Sequence, residues 1–143
     1  RATKDCDIIH PLLPPEVTAA ARSFAAEQRA HGEALQDDWL NNGPAALTKA
    51  LPPGWEERVQ PVFKGQAIEL GSLGRLDLLR SKLFALCDRA IDLGDCVALA
   101  PSSAELQQIL PWLELQDANP DWPAHVRATL LDGEEGLVMG LVE

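Results

Sequence analysis

The chain has 143 residues, 46% of them hydrophobic and 24% charged, and its net charge is −10. That length serves one domain with a single core, and so acidic a balance is poorly suited to general nucleic-acid binding, where phosphate contacts dominate affinity. No apolar run approaches the ~20 residues needed to span a bilayer, so no membrane partner is expected.

The charge is uneven. Residues 1–57 carry a net of −4, residues 58–89 a net of +3 and residues 90–143 a net of −9. The basic middle leaves room for a local patch that takes one triphosphate or one RNA end. Three cysteines, Cys6, Cys87 and Cys96, are an odd number without paired spacing. They read as reduced, mostly buried thiols of a cytoplasmic protein, with neither a disulfide framework nor a zinc site. His10, His31 and His125 are scattered and form no ligand pair. The first residues are charged and no apolar h-region follows, so no secretory signal is visible. The chain opens on Arg1 and enters a strand-like segment at once, which suggests that an upstream part is missing.

In chain order, residues 5–9 read as a strand. Positions i and i+2 of a strand share a face, so Asp5 and Asp7 are expected side by side. Paired carboxylates persist when solvated or when a cation sits between them. A solvated strand edge and a Mg²⁺ site both fit, since Mg²⁺ commonly takes one or two carboxylates plus substrate phosphates. Pro11, Pro14 and Pro15 then break the chain. A helix follows over 15–29, with Pro in its first turn, Glu16 favourable to the dipole and a stripe of Val17, Ala20, Ala21, Phe24 and Ala25. After a polar loop, residues 39–44 read as a turn into a short helix over 44–50, ended by Pro52-Pro53-Gly54. Residues 59–63 and 66–70 read as strands of a hairpin joined by Lys64-Gly65. Pro61 suits an edge position.

A helix over 76–89 is expected to bury Leu79, Leu83, Leu86 and Ala90, and a second covers 92–99. Ser102 or Ser103 caps a helix through Leu110. Pro111 and Pro120 punctuate the rest, with Asn119-Pro120 starting a helix to Leu131 and Gly133 stopping it. Trp39, Trp55, Trp112 and Trp122 each sit near Pro, Gly or Asn and read as core anchors at loop–helix joints.

Arg75, Lys82 and Arg89 recur every seven residues and share a face of a continuous helix. Asp88, Asp92 and Asp95, at i, i+4 and i+7, share another. Three readings stay open: a solvated stripe, a structural ion-pair network, or a site where lysine holds phosphate and aspartate holds metal or activates a hydroxyl.

These residues carry a resemblance. Residues 1–9, Arg1-Ala2-Thr3-Lys4-Asp5-Cys6-Asp7-Ile8-Ile9, resemble the metal-binding strand of nucleotidyltransferase-fold proteins. The form Arg-x-Thr-x-Asp-x-Asp is typical of the branch that includes abortive-infection type IV toxins. Asp77-Leu78-Leu79-Arg80-Ser81-Lys82-Leu83-Phe84-Ala85-Leu86, followed by Arg89, Asp92 and Asp95, looks like that branch's downstream motif. Leu51-Pro52-Pro53-Gly54-Trp55-Glu56-Glu57-Arg58 is similar to uncharacterised nucleotidyltransferase-like proteins. The resemblance covers about residues 1–100.

The resemblance implies an α+β fold: a small mixed or antiparallel sheet of the nucleotidyltransferase type in residues 1–75, with a helical part, 76–143, packed on it. It implies Mg²⁺-dependent transfer of a nucleotide from NTP to an acceptor, which could be RNA or protein. Asp5 and Asp7 would hold the metal, and Lys82, with Arg75 and Arg89 on its stripe, would face phosphate. Asp92 or Asp95 would support the acceptor or the lysine. Family members carry a Gly-Ser or Gly-Gly turn about ten residues before the Asp-x-Asp. None precedes Arg1, so that turn is either upstream or lost, and Glu69 is the best candidate for a third carboxylate. The alternative function is a non-catalytic module of the same fold, such as one half of a toxin–antitoxin pair that binds a cognate antitoxin.

Overall fold

The structure, a computed structural model, describes residues 5–132. The start of the Arg-x-Thr motif and the expected stop at Gly133 lie outside the described residues. The protein is mixed α+β, with one parallel and one antiparallel two-stranded sheet among the described residues. It divides after Ala50 into two compact units.

In the first unit, β1 (Cys6–Asp7) pairs in parallel with β2 (Leu40–Asn41), Cys6 opposite Leu40 and Asp7 opposite Asn41. The expected strand over 5–9 is thus only two residues long. Ile8 still donates its N–H to the Asn41 carbonyl at 2.8 Å. From there a side chain replaces the ladder: Asn42 donates Nδ2 to the carbonyls of Ile8 and Pro11, and its Oδ1 accepts from the Leu13 N–H at 2.7 Å. The segment read as a turn therefore supplies both residues of β2 and an asparagine clasp. Helix α1 (Pro15–Ala30) begins on its proline as expected. Its buried stripe is narrower than the sequence suggests: Ala21 and Ala25 are buried, whereas Ala20 is exposed and Phe24 lies on the surface against the Trp39 ring at 5.7 Å. Trp39 anchors its own end by donating Nε1 to the Ala21 carbonyl. The short helix over Gly43–Lys49 has the tighter 3₁₀ form.

The second unit opens with a 3₁₀ turn at Glu56–Arg58, then β3 (Gln60–Lys64) and β4 (Glu69–Ser72), an antiparallel hairpin. The hairpin is where the sequence places it, but its register differs. A bulge between Pro61 and Phe63 shifts the pairing, and the connection runs over 65–68, closed by the Gly65 N–H on the Ile68 carbonyl at 2.8 Å. Helix α2 (Arg75–Arg89) follows Gly74, which is buried under the main chain of residue 58: a Cβ there would sit 2.6 Å from the Arg58 carbonyl oxygen. Only glycine fits that approach.

Leu79, Leu83 and Leu86 form the α2 stripe as predicted. They pack with Cys96 of α3 (Leu93–Leu99), Leu106, Ile109 and Leu113 of α4 (Ser103–Leu113), and Trp122, Val126 and Leu130 of α5 (Trp122–Asp132). Ala90, expected in this stripe, is exposed because the helix has already ended there. Ser102 and Glu105 close a reciprocal capping box at the start of α4. The helix then runs through Pro111. The proline ring costs the N–H bond toward Gln107 near the last turn, while burial of Leu113 beside Ile109 favours continuation. Helix α5 starts at Trp122, two residues past Pro120. Asn119 caps a separate turn, its Oδ1 accepting from Asp121 and its carbonyl from Trp122.

Among the described residues no helix is long and apolar enough to cross a membrane.

Candidate functional site

A continuous helix would keep Asp88, Asp92 and Asp95 in line. The chain breaks instead. Ala90 (φ 55°) and Asp92 (φ 68°) both adopt the left-handed conformation, and α3 folds back onto α2. For alanine that backbone costs about 1–2 kcal/mol, while aspartate tolerates it through local hydrogen bonding. The reversal carries Asp92 and Asp95 to the side of Lys82. Lys82 Nζ donates to Asp92 Oδ2 at 3.2 Å and to Asp95 Oδ2 at 2.9 Å. Asp88 is left outside, where it faces Arg89 at 3.5 Å on an exposed surface.

Lys82 is about 29% exposed. Partial burial works against its charge, but the hydrogen bonds to Asp95 and Asp92 outweigh it, so the amine's pKa stands above its usual value and the lysine is a fixed cation. Cys96 lies under this cluster, fully buried, its thiol pushed up to about 12 by burial first and by the charge of Asp92 next. Cys87 is also buried and free, raised to about 11 by burial, whereas Cys6 is exposed.

The other two members of the seven-residue stripe go elsewhere. Arg75 donates Nε to Glu105 Oε1 at 2.6 Å, and its Nη2 reaches Glu105 Oε2 and the carbonyls of Leu99 and Ala100. It closes the C-terminus of α3 while bracing the capping box of α4. Arg89 pairs with Asp88 at 3.5 Å. Glu69, considered as a third carboxylate, is exposed and pairs with Lys64 at 3.0 Å.

Asp5 and Asp7 belong to the first unit, and both are exposed. Asp7 is in β1 and Asp5 immediately precedes it. Asp7 Oδ1 accepts from Asn41 Nδ2 at 3.0 Å. Among the described residues no group of three or more His, Cys, Asp or Glu is arranged to hold a metal. Asp5 and Asp7 are exposed carboxylates, the kind of hard oxygen donor that Mg²⁺ takes one or two of while keeping several waters.

Sequence reasoning missed a buried ion cluster. Asp77 is fully buried in α2 and accepts from Arg58 Nε at 2.7 Å, Arg58 Nη2 at 3.2 Å and Arg80 Nη1 at 2.8 Å. Arg80 is itself only 9% exposed. Arg58 also donates to the carbonyls of Pro52 and Pro53, tying the Pro-Pro-Gly loop to α2. The available signal was Asp77 and Arg80 at i and i+3 flanking a leucine of the buried stripe.

Comparison with protein-family models, with curated proteins and with solved structures finds no match.

Proposed function

We propose that this chain is a nucleotidyltransferase-fold protein of the abortive-infection type IV toxin-like branch, transferring a nucleotide from NTP to an acceptor with Mg²⁺. The observation that carries the reading is Lys82, held as a cation by two carboxylates from a helix that reverses to reach it. The order of the Asp5/Asp7, Lys82 and Asp92/Asp95 motifs supports it. Asp5 and Asp7 would hold the cation, which when bound neutralises phosphate charge. Lys82 binds phosphate, and Asp92 and Asp95 keep its amine charged and oriented until it does. In the reaction the acceptor oxygen bonds to the α-phosphorus, the bond to the bridging oxygen breaks, and pyrophosphate leaves. The acceptor's proton passes to Asp92, Asp95 or water. RNA and protein hydroxyls are both acceptors of the required chemistry.

The test is incubation of the protein with labelled NTPs, Mg²⁺ and candidate RNA or protein acceptors, beside Asp5→Ala/Asp7→Ala and Lys82→Ala variants. Label transferred by the unaltered chain alone supports the enzyme. Equal labelling by all three sinks the metal and phosphate assignments. One observation favours a second reading, a non-catalytic module of the same fold that binds a protein partner such as a cognate antitoxin: Arg75, Lys82 and Arg89 each already have a carboxylate partner. No labelling under any condition puts that reading ahead.

A further inference from the structure

Of the chain's three asparagines, Asn41, Asn42 and Asn119, only Asn42 precedes a glycine. An Asn-Gly pair carries its own chemistry. The backbone nitrogen of the glycine attacks the asparagine Cγ, and a residue without a side chain leaves that nitrogen unshielded and its backbone free to turn. The bond from Cγ to the amide nitrogen breaks, ammonia leaves and a cyclic succinimide forms. Water then opens the ring at either carbonyl, giving aspartate or isoaspartate. No oxidant or cofactor is consumed. Asn41 is followed by Asn42, whose side chain crowds the attacking nitrogen, and Asn119 by Pro120, which has no N–H to lose.

The fold commits both reacting groups elsewhere. Asn42 Nδ2 donates to the carbonyls of Ile8 at 2.7 Å and Pro11 at 3.1 Å, and its Oδ1 accepts from the Leu13 N–H at 2.7 Å. The attacking nitrogen is engaged too: the Gly43 N–H donates to Asn41 Oδ1 at 2.6 Å. Attack requires the Asn42 amide to leave all three of its partners. The product cannot return to them, because a carboxylate, like a carbonyl, only accepts. At position 42 it would lose both bonds to Ile8 and Pro11 and set a negative charge against two carbonyl oxygens. Isoaspartate would also lengthen the main chain by a carbon directly after β2.

We infer that Asn42 is a deamidation site that the first unit keeps shut while folded, and that the reaction unfastens the segment between β1 and α1. A typical hydrogen bond is worth a net factor of about two to twelve in an equilibrium. Three of them protect the amide by roughly ten- to a thousandfold. Opening of the first unit therefore sets the rate of the reaction, and the modified chain does not close again in the same way. The inference is independent of any role in nucleotidyl transfer.

The experiment follows the full chain in mildly alkaline buffer, with and without urea, and reads deamidation at residue 42 by peptide mass spectrometry. Without urea the reaction should run roughly ten- to a thousandfold slower than with it. Gly43→Ala should slow the reaction in urea, which identifies the glycine nitrogen as the attacking group. Asn41→Ala frees the Gly43 N–H and keeps the three partners of Asn42. It should speed the reaction without urea and leave the rate in urea unchanged. Asn42→Asp reproduces the charge of the product. Hydrogen exchange at the Ile8 amide, which donates to the Asn41 carbonyl, should be about five- to a hundredfold faster in that variant than in the unaltered chain. If Asn42→Asp does not fold, the rate comparison on the unaltered chain carries the test. Equal rates at residue 42 with and without urea would overturn the protection, and unchanged exchange at Ile8 in Asn42→Asp would overturn the unfastening. A residue 42 that stays intact in urea removes the site altogether.

Discussion

Asp77→Ala should strongly destabilise the second unit. Asp77 is fully buried and accepts three charge-assisted hydrogen bonds from two guanidinium groups. Truncation affects the two arginines differently. Arg58 has a side chain about 40% exposed and recovers water. Arg80, with a side chain about 11% exposed, does not. Its charge would stay buried without a partner, and breaking a buried pair in that way costs about 3–5 kcal/mol. With a urea m-value of about 2 kcal/mol/M, the midpoint should fall by roughly 2 M at constant m. The double variant Asp77→Leu/Arg80→Met removes the stranded charge as well, and replacing a whole buried ion pair by apolar groups is often neutral. It should therefore be less destabilised than the sum of the single variants by about 1–3 kcal/mol. Urea unfolding followed by circular dichroism gives the midpoints, and hydrogen exchange at the amides of Leu79 and Leu83 reports the same loss within α2. A midpoint shift below about half a molar, or strictly additive single and double variants, would refute the buried-charge reasoning.

Three further outcomes follow from named contacts. Glu105 is held down at about 2, against an ordinary 4.5, by Arg75 first and by Ser102 next. Its contribution is complete above pH 4.5 and is lost as pH falls toward 2, because the unfolded chain takes up the proton first. The Tm of the unaltered chain should thus drop more steeply across that window than that of Glu105→Gln; parallel curves would contradict the pairing. Ala90→Gly relieves a left-handed alanine at the end of α2 and should raise stability by about 0.5–1 kcal/mol, read as a Tm higher by a few degrees; a lower Tm would show that the Cβ is not strained. Iodoacetamide at pH 8 should label the native chain at Cys6 alone, since Cys87 and Cys96 are buried with thiols near 11 and 12. Mass spectrometry should find all three labelled in denaturant, and native labelling of Cys96 would contradict its burial.

Helical periodicity was readable where burial sets it. Leu79, Leu83 and Leu86 recur at helical spacing, and the Ser102–Glu105 capping box announces the start of α4. What escaped is what side chains do to the backbone at junctions. Trp39-Leu40-Asn41-Asn42-Gly43-Pro44 has turn composition, and nothing local says that Asn42 will take over the hydrogen bonds of the segment after β1. The α2–α3 reversal is signalled by no glycine; alanine and aspartate occupy the left-handed positions, and Cys96 just beyond them packs into the core. The residue types of the Lys82 cluster were legible, but a shared face for Asp88, Asp92 and Asp95 required a continuous helix, and the chain breaks at Ala90. A reversal, not helical phase, makes the contact, which is why Asp88 drops out and Asp92 and Asp95 remain.

The basic segment over 58–89 changes meaning once the partners are known. Each of its six basic residues has a carboxylate within ion-pair distance: Arg58 and Arg80 share Asp77, Lys64 has Glu69, Arg75 has Glu105, Lys82 has Asp92 and Asp95, and Arg89 has Asp88. Two of these six draw their acids from the strongly acidic stretch after residue 90, so that stretch neutralises the segment before it. An incoming phosphate must then exchange with a carboxylate rather than meet an open cation. The exchange differs from site to site. Displacing Asp77 would strand a buried charge, and displacing Glu105 would undo the cap of α4. Lys64 and Arg89 are exposed, so phosphate there would displace only a weak surface pair and would itself be screened by water and salt. Lys82 combines partial burial with two carboxylates outside the apolar core; Asp92 is the N-cap position of α3, but its side chain caps no backbone N–H there. Among these six residues it is the position where a phosphate could take over the cation without dismantling an element of the fold.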